Sequence, residues 1–197
     1  MKDYNNFSPE NYKANDKLLN GLWGNLIELA LFAIFAAIVS FIYYTLWGNP
    51  FQGATFNQGI IEILKGVCVG FAFAVIMAGL YVAHEMLHGI IWSRYTDVKI
   101  SLTMTMSIGR LCYCEKPIML KNYIFGLLLP TIILGLIPTV IGIVTGMLLI
   151  TCFGAAILAA NSGGHLYILF LLKNTKDTDF IQDMDSKIGF TIYSPKS

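Results

Sequence analysis

The sequence predicts an all-α integral membrane protein of four transmembrane helices, with a cytoplasmic β-hairpin between helices 2 and 3. Three observations predict it. Of 197 residues, 56% are hydrophobic and only 13% charged, where a soluble domain carries about a quarter charged residues. Mean hydropathy is +0.65, and several uncharged apolar runs exceed the roughly 18 residues that mark a membrane helix. Twelve of the thirteen Lys and Arg fall in three short segments between or outside those runs.

In chain order, residues 1–25 form a polar N-terminal segment carrying Lys2, Lys13 and Lys17. It reads as a solvated tail or a short surface helix. About 25 polar residues ahead of the first span argue against a cleavable signal peptide. A membrane domain follows over 26–172, with spans at about 27–47, 67–92, 123–143 and 147–172. The last two are inferred from the 51 residues Asn122 to Leu172, which contain no Asp, Glu, Lys or Arg. That length suits two helices joined by a tight turn, placed near Gly142 to Gly146, after Pro138. The loop 93–121 carries Arg94, Lys99, Arg110, Lys116 and Lys121, and the tail 173–197 carries Lys173, Lys176, Lys187 and Lys196. Concentration of positive charge in these segments puts both termini and the loop in the cytoplasm of a multi-pass cell-membrane protein. Trp23, Trp47, Trp92 and Tyr123 fall near span ends, as interfacial anchors would. The lipid bilayer is the expected surrounding, and a net charge of +1 argues against a nucleic-acid partner.

Within the loop, Val98, Ile100, Leu102, Met104 and Met106 alternate with polar residues, the period of a half-buried strand. Ser107 to Arg110, with Gly109, can turn the chain into a second strand through Leu111 to Cys114. The free edge of such a hairpin could take up an extended peptide, with Met104 and Met106 as candidate substrate contacts. A purely structural hairpin fits the same pattern. The four cysteines form no disulfide framework: Cys68 and Cys152 fall in spans, and Cys112 and Cys114 in a cytoplasmic loop where thiols stay reduced.

The chemistry is concentrated in His84-Glu85-Met86-Leu87-His88, an HExxH pattern inside the second span. Residues four apart share a helix face, so both imidazoles can reach one zinc ion. Glu85 is then placed as general base toward a zinc-activated water. Between Gly66 and Ser93 it is the only charged residue. A third ligand is needed, and the only other histidine is His165. His84, His88 and His165 lie ten, six and eight residues before the first basic residue after their spans. At about 1.5 Å per residue all three sit roughly 9–15 Å below the cytoplasmic boundary. Asp177, Asp179, Asp183 and Asp185 are alternative third ligands if the tail folds back; otherwise they form a solvated acidic stretch. Asn161, one turn before His165, could contact substrate, donate to an oxyanion or bridge helices. Small-residue pairs (Gly66/Gly70, Gly142/Gly146, Gly163-Gly164) read as helix-packing devices.

These residues, with Tyr113-Cys114-Glu115-Lys116-Pro117, Leu129-Pro130, Asn161 to Tyr167, and the tail Asp183 to Tyr193 with Lys187-Ile188-Gly189-Phe190, resemble the putative zincin peptidase family. These are small bacterial membrane proteins similar to site-2-protease-type intramembrane zinc metalloproteases. The resemblance implies hydrolysis of peptide bonds near the cytoplasmic face, with Zn²⁺ as cofactor and a peptide or membrane-protein substrate. Where the family pattern has an Asp after the glycines, this chain has His165, so the implied site has three neutral imidazoles and a net charge of +2. The alternative reading is a non-catalytic zinc-binding membrane protein with a regulatory or immunity role. A metal transporter would need ionisable groups spaced along a path, whereas these cluster at one depth.

Overall fold

Apolar runs fold as helices because a helix satisfies its own backbone hydrogen bonds without help from neighbours. The polar segments must find partners elsewhere. A computed structural model describes residues 2–19, 21–48, 60–104, 109–184 and 189–196. In order these form β1 (Tyr12–Leu18), α1 (Gly21–Trp47), α2 (Ile60–Trp92), β2 (Val98–Met104), β3 (Gly109–Cys114), β4 (Ile118–Met119) and α3 (Leu120–Thr131). A π-helical turn, Ile132–Leu136, leads to α4 (Ile137–Thr145), α5 (Leu148–Leu172), β5 (Phe180–Asp183) and β6 (Gly189–Pro195). Among the described residues, Leu29–Trp47, Leu64–Trp92 and Leu120–Thr145 are helical stretches long and apolar enough to cross a membrane. The halves of α5, Leu148–Ala160 and Gly164–Leu172, meet at a 40° bend and add a fourth if taken as one span.

Helix α4 ends on Gly146, whose φ of +71° is the left-handed conformation glycine adopts without strain. The end of α1 holds this turn: the Tyr43 hydroxyl donates to Gly146 O (2.7 Å) and Trp47 Nε1 to Ile143 O (2.8 Å). Helices α4 and α5 then pack at close range. A Cβ on Gly142 would lie 2.5 Å from Thr151 N, and one on Gly154 2.6 Å from Thr139 N, the close approach that small residues permit between apolar helices. The other glycines expected to pack meet no neighbour among the described residues: none of these lies within 4 Å of a Cβ built at Gly66, Gly70 or Gly164. The surroundings of Gly163 fall outside the described set.

The hairpin expected between α2 and α3 is present. Strands β2 and β3 pair antiparallel, Val98 opposite Cys114 and Ile100 opposite Cys112, with a register shift between Ile100 and Thr103. An all-α reading nevertheless omits a second, four-stranded antiparallel sheet in the order β1-β6-β5-β4. The N-terminal segment, expected to be a tail or surface helix, contributes its edge strand, with Ala14 opposite Tyr193. The acidic tail, expected to be solvated, contributes β5 and β6 and buries Asp179 and Asp183 (3% and 9% exposed). The reason is pairing over long range: Tyr12–Leu18 (YKANDKL) has almost no apolar pattern, and its backbone is satisfied by a strand more than 170 residues later.

This sheet packs on the ends of the helices. Ile181 and Phe190 (0% and 1% exposed) join Trp92, Leu120, Tyr123 and Leu172 in one core. Trp92 and Tyr123, expected as interfacial anchors, are therefore interior residues (4% and 2% exposed). The Trp23 side chain falls outside the described set. The N-terminus is tied in by Asp3, whose carboxylate accepts from Met119 N (2.9 Å) and Asn122 Nδ2 (2.8 Å) at the start of α3, an N-terminal cap supplied from a distance. Lys2, then Lys116, hold the Asp97 carboxyl down at about 2. A carboxyl depressed in the fold stabilises it above its ordinary pKa, and this contribution is lost as pH falls toward 2.

Gly154→Leu drives a side chain into the α4 backbone and is expected to cost about 1–3 kcal/mol. The same change at Gly70, which faces open space, is expected to cost far less. Thermal unfolding of both variants in detergent checks the contrast.

Candidate metal centre

On α2, positions 84, 85, 88 and 92 fall on adjoining turns of one face. The face is turned inward: His84, Glu85 and His88 are 0%, 9% and 3% exposed. His165, half-buried, approaches from α5. Each imidazole offers one ring nitrogen, and the three nitrogens lie within 4.8 Å of one another. The Nε2 atoms of His84 and His88 are 3.0 Å apart. The His84 and His165 rings stack with centroids 5.4 Å apart, and His88 stands edge-on to both. Three helical residues, one of them distant in sequence from the other two, thus form a group that could hold a metal ion.

Helix α3 orients this group from behind. His88 Nδ1–H donates to the Gly126 carbonyl at 2.7 Å, which leaves the Nε2 lone pair facing His84. His165 Nδ1 shares a 2.9 Å hydrogen bond with Thr131 Oγ1. His84 Nδ1 is buried without a partner among the described residues. The donor set fits zinc, which favours imidazole nitrogen and whose histidine ligands usually bond their second nitrogen to a backbone or side-chain oxygen.

The rival third ligands are engaged elsewhere or lie outside the described set. Asp179 accepts from Ser194 Oγ and Lys176 N, Asp183 from Cys114 N and the Tyr123 hydroxyl, and Asp177 is exposed. Asp185 lies outside the described residues, as does Met106. For Asn161 and Met104 the backbone is described, in α5 and β2, but the side chains are not.

The hairpin lies over the same face of α2. A Cβ on Gly89 would sit 2.9 Å from Cys112 Sγ. Burial, and then the nearby Glu85 carboxylate, push the Cys112 thiol up. This brings β3 beside the one acidic group of the site. Below His88, the Trp92 ring stacks at 5.1 Å and Tyr123 stacks on Trp92 at 5.3 Å. Trp92 Nε1 donates to Tyr123 O (3.2 Å), and the Tyr123 hydroxyl donates to Asp183 (3.0 Å). The other Asp183 oxygen accepts from Cys114 N (2.9 Å), so β5, β3 and α3 meet at one carboxylate.

Gly126, Thr131 and Trp92 escape sequence reasoning as parts of this site, and Asp183, considered there as a third metal ligand, instead braces Tyr123 and β3. Thr131 leaves a faint signal, a hydroxyl directly after a proline in a charge-free run, and Trp92 lies one helical turn after His88. Gly126 acts through a backbone carbonyl and Asp183 through two long-range contacts, neither of which a motif displays.

Neither the curated proteins nor the solved structures yield a match to the chain. The family pattern described as putative zincin peptidase matches residues 77–180, more than half of the 197 residues. That stretch carries all three imidazoles, Glu85 and the helix that orients two of the rings. The chain belongs to the putative zincin peptidase family.

Proposed function

We propose that the chain is a membrane-embedded zinc metalloprotease that hydrolyses peptide bonds near the cytoplasmic face. The observation that carries the reading is the convergence of three imidazoles, two of them with the outer nitrogen hydrogen-bonded, with Glu85 on the same helical turn as His84 and His88. His84, His88 and His165 would hold the ion. When bound, zinc acts as a Lewis acid that polarises the scissile carbonyl and acidifies water. Glu85 takes the proton of the attacking water and returns it to the departing amine, so that it acts as base and then as acid. Three neutral ligands leave the double charge of the ion undiminished, where a carboxylate ligand would neutralise part of it.

Topology and substrate follow the same reading. The concentration of Lys and Arg in the two terminal segments and the hairpin loop supports a four-span topology with all three in the cytoplasm, and the product would leave on that side. Strand β2 pairs with β3 in a two-stranded sheet, and an extended substrate segment would add to the outer edge of β2. Strand addition there would present peptide carbonyls that a substrate helix keeps bonded. Met104 and Met106 would then contact substrate side chains. Asn161, one turn before His165, is the candidate donor to the developing oxyanion.

Two measurements test this. Detergent-purified wild type is expected to carry about one zinc per chain, and His88→Ala and His165→Ala to lose it. A His165→Ala chain that keeps its zinc removes the third ligand assigned on α5. Glu85→Gln is expected to lower peptide cleavage by about 10²–10⁴-fold, the usual contribution of a general base, with zinc content unchanged. Undiminished cleavage by Glu85→Gln overturns the assigned base. Zinc-loaded wild type without cleavage of any membrane or soluble peptide favours the regulatory reading.

A further inference from the structure

We propose that Pro130 is a positioning residue for His88, because its missing N–H leaves the Gly126 carbonyl to the imidazole. In a regular α-helix the carbonyl of residue 126 accepts from the N–H of residue 130. Proline has no such hydrogen. Pro130 lies inside α3, and the helix runs on through it, with Ile132 N–H bonding back to Leu128 O and Leu129 O. The one carbonyl that the proline releases is the one to which His88 Nδ1–H donates at 2.7 Å.

The same turn carries a second adaptation. A Cβ on residue 126 would lie 2.1 Å from Trp92 Nε1 and 2.3 Å from its Cδ1, so glycine is what lets α2 come close enough for this hydrogen bond. Trp92 in turn stacks on His88. Thr131, the residue after the proline, bonds His165. Gly126, Pro130 and Thr131 thus form one short device on α3 that orients two of the three imidazoles. A carbonyl is well suited to orienting a ring. It is held by the helix, cannot rotate away, and accepts only, so it fixes His88 with the proton on Nδ1 and the lone pair on Nε2. A proline serving only as a kink would leave the carbonyl four residues earlier with no reason to face an imidazole.

This inference rests on the zinc reading above, and zinc binding separates the two. The experiment is competition of the full-length, detergent-solubilised chain against a chromophoric chelator for zinc. Wild type is compared with Pro130→Ala, Pro130→Val and Pro138→Ala. Both changes at 130 restore an N–H that competes for the Gly126 carbonyl, and valine keeps a bulk close to that of proline. Zinc affinity is expected to fall roughly tenfold or more, the usual loss when an outer partner of a histidine ligand is removed. Metal-free thermal stability of Pro130→Ala should stay level or rise, since alanine is a far better helix former. Pro138→Ala, which removes a proline from α4 away from the imidazoles, should bind zinc as wild type does. Cobalt(II) in place of zinc adds a spectroscopic reading: at saturating metal the d–d bands should shift in Pro130→Ala and not in Pro138→Ala. Wild-type affinity and an unshifted spectrum in both 130 variants overturn the proposal while leaving the metal site standing. A wild type that takes up no zinc overturns the metal reading and this inference with it.

Discussion

Placing three imidazoles and a carboxylate in an apolar helical bundle is the constraint on which the rest of the structure depends. A buried polar group without a partner costs more than its hydrogen bond would return, so the helices around the site must supply acceptors and donors where their sequences are almost wholly hydrocarbon. Helix α3 does so with the two economical means open to an apolar span. It offers a hydroxyl from Thr131 and a backbone carbonyl from Gly126, and neither adds a charge to the interior. One imidazole nitrogen, His84 Nδ1, has no protein partner among the described residues, and it belongs to the ring that stacks on His165.

The two sheets matter to the site through this same helix. Asp3 caps the start of α3, and Asp183 holds the Tyr123 hydroxyl in the first turn of that helix while binding β3 through Cys114 N. Tyr123, Trp92 and His88 then stack in series. Parts of the chain close to its two ends therefore bear on the orientation of a candidate ligand that lies near its middle. Aromatic stacking transmits this well, because large flat rings packed at interior density have few alternative arrangements. The hairpin closes the other side, with Cys112 seated against Gly89 and near Glu85, and so helps to keep that carboxylate away from bulk water.

The candidate ligands and base are legible in the sequence because they depend on local periodicity. His84, Glu85 and His88 share a face in any helix, and the depth of His165 can be counted from flanking charges. The hairpin shows itself through strict alternation over Val98 to Met106. The four-stranded sheet leaves no such trace: β1 is polar almost throughout, β4 is two residues long, and Asp179 and Asp183 look like surface acids. Trp92 and Tyr123 follow the compositional habit of interfacial anchors, yet their burial comes from a sheet that composition does not announce.

By itself the sequence determined that the chain has long apolar helices, a hairpin between two of them and residue types able to bind a metal, since hydrophobicity, periodicity and ligand chemistry all belong to single residues or near neighbours. Tertiary structure alone decided which acceptor each imidazole meets, which glycines carry close packing and which carboxylates are interior. Those outcomes rest on backbone carbonyls, on the absence of a Cβ or an N–H, and on strands paired across nearly the whole chain. A linear reading shows the glycine and the proline themselves, but not the ring, carbonyl or strand that comes to lie opposite them.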